Sequence, residues 1–435
     1  MRNPISSLLL VVGLTLAAGN WLSAGTDTKP NIVILLIDDL GYADCGFNGG
    51  TEISTPHIDS LARQGTILDA HYVQPVCSPT RAALMTGRYA TRTGVYEVVR
   101  PHAPWGLPLD ERTLASALQE AGYETAISGK WHLGEFDPAY LPTSRGFDHQ
   151  YGHYFGALDY FTHMRDQHRD WYRDGKEDAE EGYATHLLAR EACRMIVERD
   201  AAKPLFLYVP FNGVHSPFQA PEEYLEPYSN LSGNRRILAG MLAAVDEAIG
   251  QIVVTLENEG LRDNTLIIFS SDNGGPRPGD NTPLRDYKGT IYEGGVRAAA
   301  FVNWPAKIPA GVIVREPMHI VDWYPTLIKL AGGSLDQENV LDGEDIWSML
   351  TSGAASPHEA ILSVQSPQRA AIRMGDWKLL MNPRANSNSE YTLYNLASDV
   401  GETTDLSKQE PEQFAKLRSK LHELLRDAAE PGGKP

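Results

Sequence analysis

Short apolar runs that stop abruptly at charged residues recur along this chain. Residues 32–37 are uninterrupted Ile, Val and Leu, and the run ends at Asp38-Asp39. An apolar run without alternation predicts a strand buried on both faces, the habit of parallel sheets. Residues 124–128 form a weaker run leading into Gly129-Lys130-Trp131-His132, 205–209 lead toward His215, and 266–269 run to Ser271-Asp272-Asn273-Gly274-Gly275. Helical periodicity fills the intervals at 114–121, 183–199, 235–259 and 321–331. Strands alternating with helices predict a βαβ-type α/β fold with a mostly parallel sheet. After about residue 350 the pattern changes: 370–381 and 390–396 read as antiparallel strands, and 410–426 as an amphipathic terminal helix. The expected division is a main α/β domain over 25–350 and a small C-terminal α+β subdomain over 351–435.

The first 24 residues stand apart. Arg2 precedes an apolar stretch from 5 to 18, followed by small and polar residues to Gly25. That composition predicts a secretory signal peptide over 1–24, cleaved somewhere in 18–25. The stretch falls short of the roughly 20 apolar residues a membrane span needs. No Cys precedes Cys45 to carry a lipid, and no later run is expected to reach membrane length. The expectation is an exported, soluble protein, periplasmic or secreted, with no membrane partner. The 435 residues include 38 Lys and Arg against 56 Asp and Glu, a net charge of −18, which leaves no basic footprint for nucleic acid. Cys45, Cys77 and Cys193 are too few for a disulfide framework and are not spaced as a zinc site.

Each predicted strand delivers ionisable residues just past its C-terminal end, the edge at which open α/β sheets bind ligands. Asp38, Asp39, Asp272 and Asn273 supply oxygens, while Lys130, His132 and His215 supply positive charge and proton carriers. Adjacent carboxylates after a buried strand repel unless a cation lies between them. An all-oxygen set suits Ca2+ or Mg2+ better than zinc. Asp and Asn also favour caps and turns, so that simpler role stays open for either segment alone. Cys77-Ser78-Pro79-Thr80-Arg81 opens a short helix ending at Gly87, with Pro79 in its first turn. Cys77 then sits at a helix N-terminus, where backbone N–H groups favour an anion, and Arg81 lies one turn on. The alternative is a small buried Cys beside a helix start.

The pattern Cys-x-Pro-x-Arg at 77–81 resembles that of type I sulfatases, the formylglycine-dependent branch of the alkaline phosphatase superfamily. Gly129-Lys130-Trp131-His132-Leu133-Gly134 is similar to the family's second signature, and Asp38-Asp39 with Asp272-Asn273-Gly274 to its metal ligands. Lys288-Gly289 with Tyr292-Glu293-Gly294-Gly295-Val296-Arg297 resembles its later lysine segment. The likeness spans roughly residues 30 to 335 and extends weakly to Leu393-Tyr394-Asn395-Leu396. It implies an alkaline-phosphatase-like α/β sandwich: a large mixed, mostly parallel sheet flanked by helices, plus a small C-terminal subdomain with an antiparallel sheet. It implies that a formylglycine-generating enzyme oxidises Cys77 to Cα-formylglycine, whose hydrate supplies the nucleophile toward sulfur. One Ca2+, or Mg2+, would be held by Asp38, Asp39, Cys77, Asp272 and Asn273. The resemblance further implies that Lys130 and Lys288 clamp the sulfate and that Arg81 fixes the hydrate. His132 would be the base for sulfate elimination. His215 would contact the ester oxygen and protonate the departing alcohol.

Within the family the chain looks most similar to the arylsulfatase B group, on segments such as Leu107-Pro108-Leu109-Asp110 and Gly156-Ala157-Leu158-Asp159-Tyr160-Phe161-Thr162-His163. That implies a sulfated carbohydrate substrate, a 4-O-sulfated galactose or N-acetylgalactosamine unit of a polysaccharide or glycosaminoglycan. Asp159, Tyr160, His163 and Arg165 are the candidate sugar contacts, although Tyr160 and Phe161 suit a core equally well. The competing readings are an arylsulfatase of other specificity and a phosphonate or phosphate monoester hydrolase of the same superfold. Phosphatases of this architecture use two zinc ions with His ligands, whereas this chain offers one oxygen-rich site. A glycan-binding protein that had lost catalysis would lack some nucleophile, metal or clamp residue, and none is missing.

Overall fold

Ile32, Ile34 and Leu36 join the core on one face of the central sheet, and Val33, Leu35 and Ile37 the core on the other. All six are buried, which is why this stretch of sequence shows no polar alternation. The computed structural model describes residues 29–382 and 390–432, so the leader read over 1–24 lies outside the described residues.

Five parallel neighbours form the middle of a ten-stranded sheet, in the order Thr265–Ser271, Asn31–Ile37, Leu205–Phe211, Glu124–Lys130, His149–His153. Beyond Thr265–Ser271 the sheet continues through Ala300–Asn303, which runs antiparallel to it, then Thr66–Leu68 and Val312–Val314. Beyond His149–His153 come two antiparallel strands, Tyr172–Arg173 and Lys176–Glu177. The sheet is therefore mixed, with a parallel centre. Cys77–Thr86, Leu114–Glu120 and Trp323–Leu330 cover one face; Pro56–Arg63, Ala184–Glu198 and Gly233–Asn258 cover the other.

Gly233–Asn258 corrects one expectation. Its 26 residues are long and apolar enough to cross a membrane by length and composition. In the fold it packs against Ala184–Glu198 and Pro56–Arg63, with 67% of its most apolar window buried, so it reads as a core helix. Its buried Asp246 accepts hydrogen bonds from the backbone N–H groups of His57 and Ile58, satisfying free donors at the start of Pro56–Arg63.

The C-terminal part forms a four-stranded antiparallel sheet, Ile361–Ser366, Arg369–Met374, Trp377–Met381 and Tyr391–Asn395. The run read as one stretch over 370–381 is a hairpin, turned at Gly375 with φ 58°. Pro411–Leu425 packs Leu417 and Leu421 into the core. Leu362, Val364, Ile372 and Leu379 join the same hydrophobic cluster as helix Cys77–Thr86, and Gln74, just ahead of that helix, hydrogen-bonds to the backbone of Leu362 and Val364.

Candidate active site

Ile37 is in register with Phe211 on one side and Ser271 on the other. Three neighbouring strands thus end at one level, and the residues that follow them meet. Asp38, Asp272 and Asn273 are completely buried, and Asp39 nearly so. Asp39 and His132 hold left-handed backbone, φ 66° and 59°, which non-glycine residues rarely adopt outside tight, functional turns.

Cys77 is the first residue of the helix Cys77–Thr86, which ends on Gly87 at φ 69°. The Ser78 hydroxyl donates to the His132 carbonyl at 2.9 Å and accepts from the Val99 N–H at 3.1 Å, tying the helix start to both segments. One turn on, Arg81 Nη2 donates to Asp272 Oδ2 at 2.9 Å and Nη1 to the Lys130 carbonyl at 2.8 Å. Lys130 pairs with Asp38, and Lys288 with Asp39 Oδ1. Asn273 Nδ2 donates to Asp39 Oδ1 at 2.8 Å, and His215 Nε2 lies 3.6 Å from Asp39 Oδ2.

The set passes a test for a hard divalent cation. One oxygen or sulfur from each of Asp38, Cys77 and Asp272 lies within 4.8 Å of the others, and Asp38, Asp39 and His215 form a second such group. Asp38 Oδ1 and Asn273 Oδ1 are buried with no hydrogen-bond partner, a costly state that a bound cation would relieve. Burial raises the Asp38 carboxyl, but Lys130, His215, Arg81 and Lys288 outweigh it and hold it well below the ordinary range. Asp272 goes the other way, pushed up to about 7 by burial and then by the charge on Asp38. Two carboxylates this close ionise together only with more positive charge nearby.

Burial also pushes the Cys77 thiol up, against the pull of Lys130 and Lys288, so the thiol itself is not a poised nucleophile. Burial, then Lys130 and Arg81, drives His132 well down, leaving its ring neutral. Its Nε2 meets the Val99 carbonyl at 3.0 Å, which can only accept. The proton therefore resides on Nε2, and the buried Nδ1 keeps a free lone pair. Gly156 is required here: a Cβ would lie 2.5 Å from His132 Nε2.

A cleft of about 140 Å³ reaches this cluster, lined by Cys77, His132, His215, Lys288, Arg100 and Arg165 among others. Lys130 does not line it; its ammonium is turned to Asp38 in the buried layer. The candidate sugar contacts divide. Arg165 lines the cleft. Tyr160 is buried, its Oη 2.5 Å from the Asn212 carbonyl and 2.7 Å from that of His215, so it supports the His215 loop. His163 is corrected: it is fully buried, stacked on Trp171 with ring centroids 4.3 Å apart, and cannot touch a sugar. Asp159 builds a turn, accepting from the N–H groups of Phe161 and Thr162 and from Gln219 Nε2, which occupies both carboxylate oxygens. Arg100 went unnoticed in the sequence because residues 98–101 carry no periodic pattern or motif.

The family model described as Sulfatase matches residues 30–334. Arylsulfatase J of Mus musculus is 38% identical over 93% of this chain and 77% of its own length. N-acetylgalactosamine-6-sulfatase of Mus musculus is 33% identical over 87% of this chain and 77% of its own. Among solved structures, Ps i-CgsB in complex with k-i-k-neocarrahexaose superposes with a TM-score of 0.87 at 35% identity, covering 93% of this chain and 94% of that one.

Proposed function

Since the chain belongs to the sulfatase family, an assembly of sulfuric ester hydrolases, we propose that the ester it cleaves is a 4-O-sulfate on a galactose or N-acetylgalactosamine unit of a polysaccharide or glycosaminoglycan. The observation that carries this reading is a cation-lined cleft meeting a buried oxygen cluster at Cys77. The likeness to a protein crystallised with an oligosaccharide supports the sugar part.

When present, a calcium or magnesium ion held by Asp38, Asp39, Cys77, Asp272 and Asn273 supplies Lewis acidity, and Cys77 in its formylglycine form supplies the attacking oxygen. The rest falls to this chain's own side chains. Lys288, the cationic clamp on the cleft wall, binds a sulfate oxygen. Lys130 holds Asp38 ionised, and Arg81 orients Asp272, both from the buried side. His132 accepts a proton on Nδ1, its tautomer set by the Val99 carbonyl. His215 donates from Nδ1 to the Ser216 carbonyl; burial lowers its pKa, so Nε2 beside Asp39 is the lone-pair nitrogen, which would have to take up a proton before passing it to the departing alcohol. Maturation calls for a formylglycine-generating enzyme, and the 1–24 leader for export.

A second reading, 6-O-desulfation, is favoured by the likeness to N-acetylgalactosamine-6-sulfatase. Desulfation of 4-sulfated N-acetylgalactosamine, 4-sulfated galactose units and 6-sulfated counterparts separates the two. Turnover confined to the 6-sulfated sugars overturns the first reading, and preference for an aryl phosphate over an aryl sulfate overturns both.

A further inference from the structure

On the cleft floor the charges are balanced: Lys130 on Asp38, Lys288 on Asp39, Arg81 on Asp272. On the walls they are not: beyond Lys288, already paired with Asp39, Arg100 and Arg165 line the cleft, and no carboxylate lines it. Arg100 is exposed, and among the described residues its guanidinium has no ion-pair or hydrogen-bond partner. Arg165 is 39% exposed and pairs with Asp166, itself 65% exposed, a contact that solvent screens to little. In a protein of net charge −18, two guanidiniums facing one cleft, one without a partner among the described residues and the other ion-paired with the exposed Asp166, run against the overall field.

Two segments bring them there, each with a second ring-bearing residue. One carries Arg100 and His102. The other is the small hairpin in which Arg165 pairs with His168. The rings of His102 and His168 lie 5.7 Å apart, and Phe155 lies 5.4 Å from His102. Phe155 is buried beneath, while His102 and His168 are exposed next to lining residues, so flat rings stand beside two planar forks, a combination suited to a sugar ring bearing an anionic substituent.

We propose that Arg100 and Arg165 form a second anion subsite, binding a sulfate or carboxylate on the same oligosaccharide that carries the scissile sulfate. The proposal rests on the reading of the substrate as a sulfated carbohydrate and narrows it to chains with more than one negative charge. The scissile sulfate is a monoanion, already met by Lys288 and the floor of the site. The two wall guanidiniums are left for another charge.

The test uses full-length enzyme from a host that converts Cys77. Three matched oligosaccharides share one scissile sulfate; one has no further charge, one a second sulfate and one a uronate carboxylate. The parent enzyme should favour one or both doubly charged chains by about ten- to a hundredfold in kcat/KM, the range of one or two charge-assisted hydrogen bonds. That preference should weaken as salt rises. Which chain gains identifies the anion. In R100A/R165A the preference should fall to near one, through KM rather than kcat, and R100K/R165K should restore part of it. Equal handling of all three chains by the parent enzyme, or an unchanged preference in R100A/R165A, overturns the subsite. If an aryl sulfate turns over but none of the sugars does, the substrate reading fails and takes the subsite with it.

Discussion

Two of the places where the molecule buries charge differ in one respect: only one of them opens to a ligand. Beside Cys77, three carboxylates meet three cations and leave Asp38 Oδ1 and Asn273 Oδ1 without a hydrogen bond among the described residues, at the end of a cleft. Under the C-terminal sheet, Lys378 pairs with Glu293 at 2.8 Å and Glu402 at 3.0 Å. Glu293 also accepts from the Tyr72 hydroxyl at 2.8 Å, Glu402 accepts from the Glu293 N–H at 2.7 Å, and Arg373 donates to Tyr72 Oη at 2.6 Å. Three of the four carboxylate oxygens of that cluster accept hydrogen bonds, the fourth, Glu402 Oε1, lies 3.0 Å from the Lys378 ammonium, and Glu293, Glu402 and Lys378 are all buried away from the active-site cleft. Burying ions is therefore not what makes a site; leftover oxygen beside an opening is. The closed cluster still serves the open one, because Glu293 follows Lys288 by five residues and Gln365 of the same sheet donates to the Gly289 carbonyl at 2.9 Å.

The sharpest break between the two regions is chemical. Cys77→Ala should cut turnover at least about a thousandfold in protein from a converting host, as loss of a nucleophile does. The melting temperature should barely move, since one small side chain is lost. Near-normal turnover would remove the nucleophile from this position. Next in size is Lys378→Met. Two buried carboxylates would lose their ammonium, and chemical denaturation should show a loss of about 3–5 kcal/mol. Added calcium should still stabilise this variant.

Asp272→Asn should reverse that pattern. Saturating calcium should stabilise the parent protein by about 3 kcal/mol at a hundred times its dissociation constant, and Asp272→Asn should abolish the gain. A calcium response that survives in Asp272→Asn, or disappears in Lys378→Met, would erase the distinction drawn above.

A smaller effect is the pH dependence of the closed cluster. Burial raises Glu293, but Lys378, Arg297 and Arg373 outweigh it and hold it near 2, below its ordinary 4.5. Its contribution is complete above about 4.5 and fades as pH falls toward 2. Glu402 is pushed up to about 7 by burial first, with Glu293 adding to the rise and Lys378 opposing it. Its contribution is largest below 4.5 and fades as pH climbs through 7. Denaturation midpoints of Glu402→Gln should lose the decline on the alkaline side and keep the acid one. The smallest effect is at Asp159, where Ala should cost about 1 kcal/mol through the lost turn hydrogen bonds. A large KM increase in that variant would return Asp159 to the sugar.

Much of this was legible in the chain. The central strands showed because burial on both faces writes an unbroken apolar run, as at Asn31–Ile37 and Leu205–Phe211. The edge strands did not, because pieces such as Thr66–Leu68 and Tyr172–Arg173 are too short to display a period. Asp38, Asp272, Cys77 and Arg81 were readable as chemistry from their place at strand ends and a helix start. His163 misled because a polar side chain in a polar-looking segment turned out to be stacked in a core.

The sequence by itself determined the inventory of reactive groups and the strands that carry them, since both are local properties of residue type and spacing. Only the tertiary structure decided which groups share a cleft. Strand register brings Asp38 and Asp272 to one level, and loops without any pattern of their own, such as the one carrying Arg100, are placed solely by contacts with residues far along the chain.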